Sequence, residues 1–207
     1  MSDGQTIFVV DDDEMLRHSL RWLLESLRHN VQTYASAREF LSVYDPVQPG
    51  CLLLDVRMPD ISGLQLQEIL AKRQIRLPVI LITGHGDISM AVRAMKAGAF
   101  DFVEKPFNDQ ILLERVQQGL ALDTRQRCEA ATREKTIERL SSLTPREGEV
   151  LEGVVSGKSN KLIAAELEIS IKTVEVHRAR VMEKMAVNSV AELTALCVVS
   201  GHARGKP

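Results

Sequence analysis

From residue 6 to about residue 122 the chain alternates short apolar runs with amphipathic stretches. The short runs are TIFVV (6–10), VQTY (31–34), CLLLD (51–55), PVILIT (78–83) and DFVEK (101–105). Helical periodicity follows each of them in EMLRHSLRWLLESL (14–27), AREFLSVY (37–44), GLQLQEILAKR (63–73), SMAVRAMKAG (89–98) and DQILLERVQQGLAL (109–122). Strands that are apolar at every position suit a parallel sheet covered on both faces, with the intervening helices as right-handed crossovers. The pattern predicts an α/β domain over residues 1–122, a doubly wound parallel sheet of five strands. In such sheets ligand chemistry sits at the carboxyl ends of the strands, where the strand order reverses.

Residues 123–142, DTRQRCEAATREKTIERLSS, are polar, contain no Gly or Pro and are rich in helix formers, which predicts a solvated helical linker continuing from the fifth helix. Over 143–207 the pattern becomes all-helical: TPREGEVLEGVVSG, NKLIAAELE, KTVEVHRARVMEKM and SVAELTALCVVS predict four short helices. Thr144 is the expected N-cap of the first, with Pro145 at its first position; Ser159 and Ser170 are expected to cap the second and third. The tail, HARGKP, is expected to fray.

Charge divides along this boundary. Residues 1–122 carry 12 Lys+Arg against 16 Asp+Glu, net −4, and residues 123–207 carry 14 against 12, net +2. The small C-terminal excess permits nucleic-acid binding without establishing it. Cys51, Cys128 and Cys197 are scattered and odd in number, which matches neither a disulfide framework nor a CxxC metal pair and points to a reducing cytoplasm. The N-terminus lacks the basic start and longer apolar run of a signal peptide, and no stretch approaches a membrane span, so no membrane partner is expected.

Three carboxylates fall at two strand ends: Asp11 and Asp12 follow TIFVV, and Asp55 ends CLLLD. With strand order 2-1-3-4-5 these strands are neighbours and the side chains converge. Carboxylates so placed raise one another's pKa unless a cation neutralises them. A hard divalent ion held by one or two carboxylates, waters and phosphate oxygens is the usual magnesium arrangement. Thr83 ends PVILIT and Lys105 ends DFVEK, adding a hydroxyl and a lone cation. A metal, a cation, a hydrogen-bond donor and an acceptor carboxylate together suit phosphoryl transfer onto Asp55. Taken singly, residues 11–13 also suit a helix cap with favourable dipole charges. Asp55 also suits a plain strand end, Thr83 a turn former and Lys105 a solvated charge.

VVDDDE (9–14), LLLDVRMPDISG (52–63), ITGHGD (82–87) and AMKAGAFDFVEKPF (94–107), in this order, resemble the receiver domain of bacterial two-component response regulators. The resemblance covers nearly all of residues 5–122. It implies a sensor histidine kinase partner and phosphorylation at Asp55. It also implies a Mg2+ site, open to Mn2+, made by Asp12, Asp55 and the backbone carbonyl of Arg57 with Asp11 assisting. Thr83 and Lys105 would hold the phosphoryl group, and the Lys105–Pro106 bond would be cis, an isomer accessible at low cost only before proline. Asp13 and Glu14 are expected to cap and be solvated, Gly63 and Gly98 to serve backbone geometry, and His85 to be a solvated loop residue.

If Thr83 moves toward the phosphoryl group, Phe102 on the fifth strand has the position to turn into the vacated space, although a Phe there is also an ordinary core residue. Many receivers carry Tyr at this place. The expected consequence is a homodimer formed on phosphorylation through Ala91, Val92, Met95 and Phe100.

LTPREGEVLEGVVSGKSNKLIAAELEISIKTVEVHRARVMEKM (143–185) resembles the LuxR/NarL-type helix-turn-helix. In KTVEVHRARVMEKM, Val174, His177, Val181 and Met185 are expected to face the core and Lys172, Thr173, Glu175, Val176, Ala179 and Arg180 the solvent. A mixed exposed face suits a helix reading base edges in the major groove of promoter DNA. Lys172 and Arg180 could reach phosphates or guanine, Glu175 cytosine, and Val176 a thymine methyl. Lys158, Asn160, Lys161 and Arg178 are expected phosphate contacts. Ala179 lacks the long polar side chain some members place there, so base specificity does not simply carry over.

The whole pattern looks most like the FixJ-type branch, which implies promoter control, as an activator working with RNA polymerase, rather than an enzyme acting on an external substrate. Two readings compete. A haloacid-dehalogenase-type phosphatase usually carries a second Asp two residues after its nucleophile, where this chain has Arg57. Alternatively, the helical domain could be a protein- or RNA-interaction module.

Overall fold

The structure, a computed structural model, describes residues 4–84 and 88–202, with backbone alone for residues 88–91. His85, the side chain of Ala91 and the last five residues of the tail therefore lie outside the described residues. The chain divides into two compact units, residues 1–127 and 128–207.

In the first unit, β1 (Thr6–Val10), β2 (Asn30–Tyr34), β3 (Gly50–Asp55), β4 (Val79–Thr83) and β5 (Asp101–Glu104) alternate with α1 (Glu14–Ser26), α2 (Ala37–Val43), α3 (Gly63–Lys72), α4 (Ile88–Lys96) and α5 (Asp109–Ser141). The strands form one parallel sheet in the order β2-β1-β3-β4-β5. Alternate side chains of a strand point to opposite faces, and both faces are covered here, which explains why β1, β3 and β4 are apolar except at their polar end residues Thr6, Asp55 and Thr83. Phe8, Val10, Leu52, Leu54 and Leu81 pack on one side with Phe40 of α2 and Leu66 and Leu70 of α3. Ile7, Val9, Leu53, Ile80 and Ile82 pack on the other with Leu20 and Leu24 of α1 and Leu112, Val116 and Leu120 of α5. Both faces are covered, as a parallel sheet requires.

The register brings Val10 beside Leu54, Asp55 beside Ile82, and Thr83 beside Glu104, so β1, β3, β4 and β5 end together at one edge. Two caps fix the loops at that edge. Asp13 caps α1, accepting from the Met15 and Leu16 amides at 2.9 and 3.2 Å. Ser62 caps α3 in a reciprocal capping box with Gln65. Gly63, just after it, has no room for a side chain: a Cβ would lie 2.2 Å from the Asp55 carbonyl oxygen. Gly98 adopts φ +94°, in the region where glycine is favoured.

α5 continues past residue 122 to Ser141 without a break. The polar stretch is not solvated throughout, because Asp123 and Thr136 are each 1% exposed. Among the described residues no helix is long and apolar enough to cross a membrane.

The second unit contains α6 (Pro145–Val155), α7 (Asn160–Glu166), α8 (Ile171–Met185) and α9 (Val190–Ser200). Thr144, Ser159, Ser170 and Ser189 cap them, each hydroxyl accepting from the N3 amide, and Pro145 opens α6. Val150, Leu151 and Val154 of α6, Ile163 of α7, Val174, Val181 and Met185 of α8, and Leu193 and Cys197 of α9 form the core. Glu147 is buried, and its carboxylate accepts from Lys184 Nζ at 2.7 Å and the Thr144 amide at 2.9 Å. The Lys184 hydrogen bond is the largest influence holding its pKa well down, at about 2.

Candidate functional site

Asp11 follows β1 directly and Asp55 is the last residue of β3, the neighbouring strand. Both are buried, at 1% and 6% exposure. Lys105, immediately after β5, reaches across the sheet edge so that its Nζ lies 2.6 Å from Asp55 Oδ1 and 3.0 Å from Asp11 Oδ2. A cation thus sits on both carboxylates. The second oxygen of each is also engaged: Asp55 Oδ2 accepts from the Arg57 amide at 2.6 Å, and Asp11 Oδ1 from the Asp13 amide at 2.9 Å. Arg17 Nη1 donates to the Asp11 carbonyl at 2.7 Å, a contact not anticipated from sequence.

Burial raises the pKa of Asp55, and the charge of Asp11 adds to that; the hydrogen bond and charge of Lys105 and the Arg57 amide pull the other way. For Lys105, burial opposes the ammonium, but hydrogen bonds to Asp55 and Asp11 outweigh it and raise its pKa. The site therefore holds a carboxylate that is costly to keep ionised beside an ammonium that stays charged.

Thr83 ends β4, is 3% exposed, and its carbonyl accepts from the Lys105 amide at 2.7 Å. Asp12 is exposed beside this edge. The Lys105–Pro106 bond is cis. Among the described residues no three His, Cys, Asp or Glu side chains gather as a metal cage. What the edge offers is a set of hard oxygen donors, buried on Asp11 and Asp55 and exposed on Asp12. That set fits a magnesium ion, which keeps several waters and needs only one or two carboxylates.

Phe102 is not the ordinary core residue that one reading of the sequence allowed. It is 42% exposed and lies outside the core. In β5, an edge strand, Val103 turns inward, so its neighbours Phe102 and Glu104 face out. Val92 and Met95 of α4 are exposed at 49% and 42%. Phe100, also expected to be exposed to a second copy on phosphorylation, is half-buried against the cluster that contains α5.

In the second unit, α8 turns Val174, Val181 and Met185 inward, with His177 half-buried. Lys172, Glu175, Val176, Ala179 and Arg180 are exposed on its other side. Thr173 is half-buried, and its hydroxyl lies 2.8 Å from that of the Ser170 cap. Lys161 is exposed at the start of α7. Three expected phosphate contacts also have partners within the unit. Arg178 Nη1 donates to Asn160 Oδ1 at 2.6 Å, joining α8 to the start of α7, and Lys158 pairs with Glu166 at 2.6 Å.

Residues 7–117 match the family model of the response regulator receiver domain, and residues 141–197 that of bacterial regulatory proteins of the luxR family. The chain is 44% identical over 191 residues to the transcriptional regulatory protein TdiR of Thauera aromatica, covering 92% of this chain and 84% of that protein. It is 42% identical over 195 residues to the transcriptional regulatory protein FixJ of Bradyrhizobium diazoefficiens, covering 94% and 95%. A solved structure of the response regulator StyR aligns with a TM-score of 0.83 at 47% identity, covering 94% of this chain and 98% of that one.

Proposed function

The chain belongs to the two-component response regulators that join a receiver domain to a LuxR-type DNA-binding domain, and on that premise we propose that Asp55 is the phosphoacceptor through which a sensor histidine kinase controls its binding to promoter DNA. The observation that carries this reading is the bridging of Asp11 and Asp55 by Lys105 at the carboxyl edge of the sheet. Asp55 Oδ1 would attack the donor phosphorus, forming an O–P bond as the bond to the leaving group breaks. Lys105 then transfers its hydrogen bond from the carboxylate to a phosphoryl oxygen, and the Thr83 hydroxyl supplies another. Asp12, Asp55 and the Arg57 carbonyl, with Asp11 assisting, would hold Mg2+ or Mn2+, which when bound neutralises charge on the phosphoryl oxygens. These residues serve self-modification and its slow reversal, with no external substrate turned over.

Phosphorylation adds about two negative charges beside Lys105 and Thr83. The exposed Val92 and Met95 then join a second copy, so the active form is a homodimer. Phe102, turned outward before phosphorylation, then swings into the space that Thr83 vacates under β4. The dimer presents α8 to the major groove, where Lys172, Thr173, Glu175, Val176 and Arg180 meet base edges and backbone; Lys158, Asn160, Lys161 and Arg178 meet phosphates. Activation through RNA polymerase in the cytoplasm completes the reading.

The test is phosphorylation of the full chain by a small phosphodonor with magnesium, comparing wild type with Asp55→Asn for label uptake and for salt-sensitive, sequence-selective DNA binding. Uptake that disappears in the variant supports the assignment; uptake that persists overturns it.

A further inference from the structure

The stretch following residue 122 reads as solvated helix, yet the Asp123 side chain is buried and fully engaged. Its Oδ2 accepts from the amide of Gly50, the first residue of β3, at 2.9 Å. Both its oxygens accept from Arg127 Nε, at 2.9 and 3.0 Å. The same guanidinium donates to three carbonyls of the loop that leads into β3: Pro46 at 3.2 Å, Val47 at 2.9 Å and Gln48 at 2.8 Å. One turn of α5 thereby clasps the foot of β3. Gly50 is held from the other side as well, since a Cβ there would fall 1.8 Å from the Thr6 carbonyl oxygen of β1.

β3 is the central strand, buried at all six positions, with Gly50 at one end and Asp55 at the other. Five steps of a parallel strand separate them by about 16 Å. Beyond the clasp, residues 128–135 of α5 are exposed throughout. The helix is next fastened where Thr136 is buried and Arg139 Nη1 donates to the Met185 carbonyl of α8 at 2.9 Å. A polar helical stretch without packing is marginal in water, so its anchors decide how firmly its first turns are held.

We propose that Asp123 and Arg127 are positioning residues for the phosphorylation response: their clasp ties the exposed stretch of α5 to the foot of β3, the strand whose other end carries Asp55. The inference rests on the reading of Asp55 as acceptor. Arg127 holds an acidic side chain and three carbonyls with one planar fork, a set that a lysine ammonium with three donors cannot reproduce.

The experiment is hydrogen exchange followed by mass spectrometry on the full chain, with and without beryllium fluoride and magnesium as a phosphoryl mimic, for wild type, Arg127→Gln and Arg127→Lys. In wild type, loading changes exchange in residues 50–63 and, by about threefold, in residues 128–140. In Arg127→Gln the first segment still responds and the second does not, while Arg127→Lys, which keeps the charge, restores part of the second response. A response of residues 128–140 in both variants equal to that of wild type overturns the clasp. Silence of residues 128–140 in wild type with a responsive 50–63 sinks the clasp alone; silence in both segments removes the acceptor reading as well. Should Arg127→Gln fail to fold, the milder Arg127→Lys carries the comparison.

Discussion

Lys105 Nζ lies 2.6 Å from Asp55 Oδ1, with the Lys105 side chain 30% exposed and that of Asp55 8%. The pair is thus partly screened on the lysine side and buried on the carboxylate side. Removing the ammonium leaves Asp55 facing the equally buried Asp11 with no counter-charge. Lys105→Met is expected to destabilise the receiver unit by about 1–3 kcal/mol at neutral pH, below the range for a fully buried pair because of that screening. The loss should shrink as acid protonates the carboxylates, and millimolar Mg2+ should restore part of it. Urea denaturation at two pH values, with and without the ion, checks this.

Asp55→Asn is expected to act in the opposite sense. The folded-state pKa of Asp55 is raised, chiefly by burial. Its stabilising contribution is therefore present below its unfolded pKa and lost as pH rises through the folded one, so at neutral pH the ionised side chain costs stability. The amide removes that cost and leaves Lys105 paired with Asp11. The midpoint of denaturation should be unchanged or higher by up to about 1 kcal/mol. A variant markedly less stable than wild type would contradict this.

Gly63→Ala places a Cβ 2.2 Å from the Asp55 carbonyl oxygen, so the loop carrying Arg57 must shift. A cost of about 1–3 kcal/mol is expected, together with slower label uptake at Asp55, because the Arg57 amide that binds Asp55 Oδ2 moves with the loop. Melting curves and phosphorylation rates measured on the same preparation would show both effects.

Glu147 titrates near 2 instead of 4.5, held down by Lys184 first and then by the Thr144 amide. A depressed carboxyl contributes stability above its unfolded pKa and loses it as pH falls through the folded one. The protection factors of amides in residues 144–157, which correct for the slowing of exchange itself in acid, should therefore fall between pH 4.5 and about 2, and Glu147→Gln should flatten that dependence. An identical acid profile in the variant would count against the pairing.

On the DNA side, Lys172→Ala should weaken binding evenly across sequences and lower the salt slope by about 1 if it meets a phosphate. Glu175→Gln should instead change base preference at one position. Gel shifts at several salt concentrations, with single-base operator variants, separate the two behaviours.

The sequence by itself determined a great deal. Short apolar runs between amphipathic stretches defined the five strands, because burial on both faces favours apolar side chains along β1, β3 and β4 between their polar ends. Hydroxyl caps at Thr144, Ser159 and Ser170 marked three helix starts, because a capping side chain acts on backbone amides within three residues and leaves a local signature. Asp11, Asp55, Thr83 and Lys105 were legible because strand ends in a parallel sheet share one edge once the strand order is assumed.

Only the tertiary structure decided features that depend on which surface is covered. Phe102 faces outward because β5 is an edge strand whose inward position is taken by Val103, a distinction that composition does not carry. Phe100, on the stretch expected to be remodelled by phosphorylation, packs before that event against the α5 side of the sheet. Asp123 and Arg127 look in sequence like any solvated i,i+4 pair; they are a buried clasp because Gly50 and the carbonyls of residues 46–48 come to meet them from more than 70 residues away. Local chemistry writes caps and periods into the chain, whereas the choice between solvent and a distant partner for a polar side chain is made only when the fold brings that partner near.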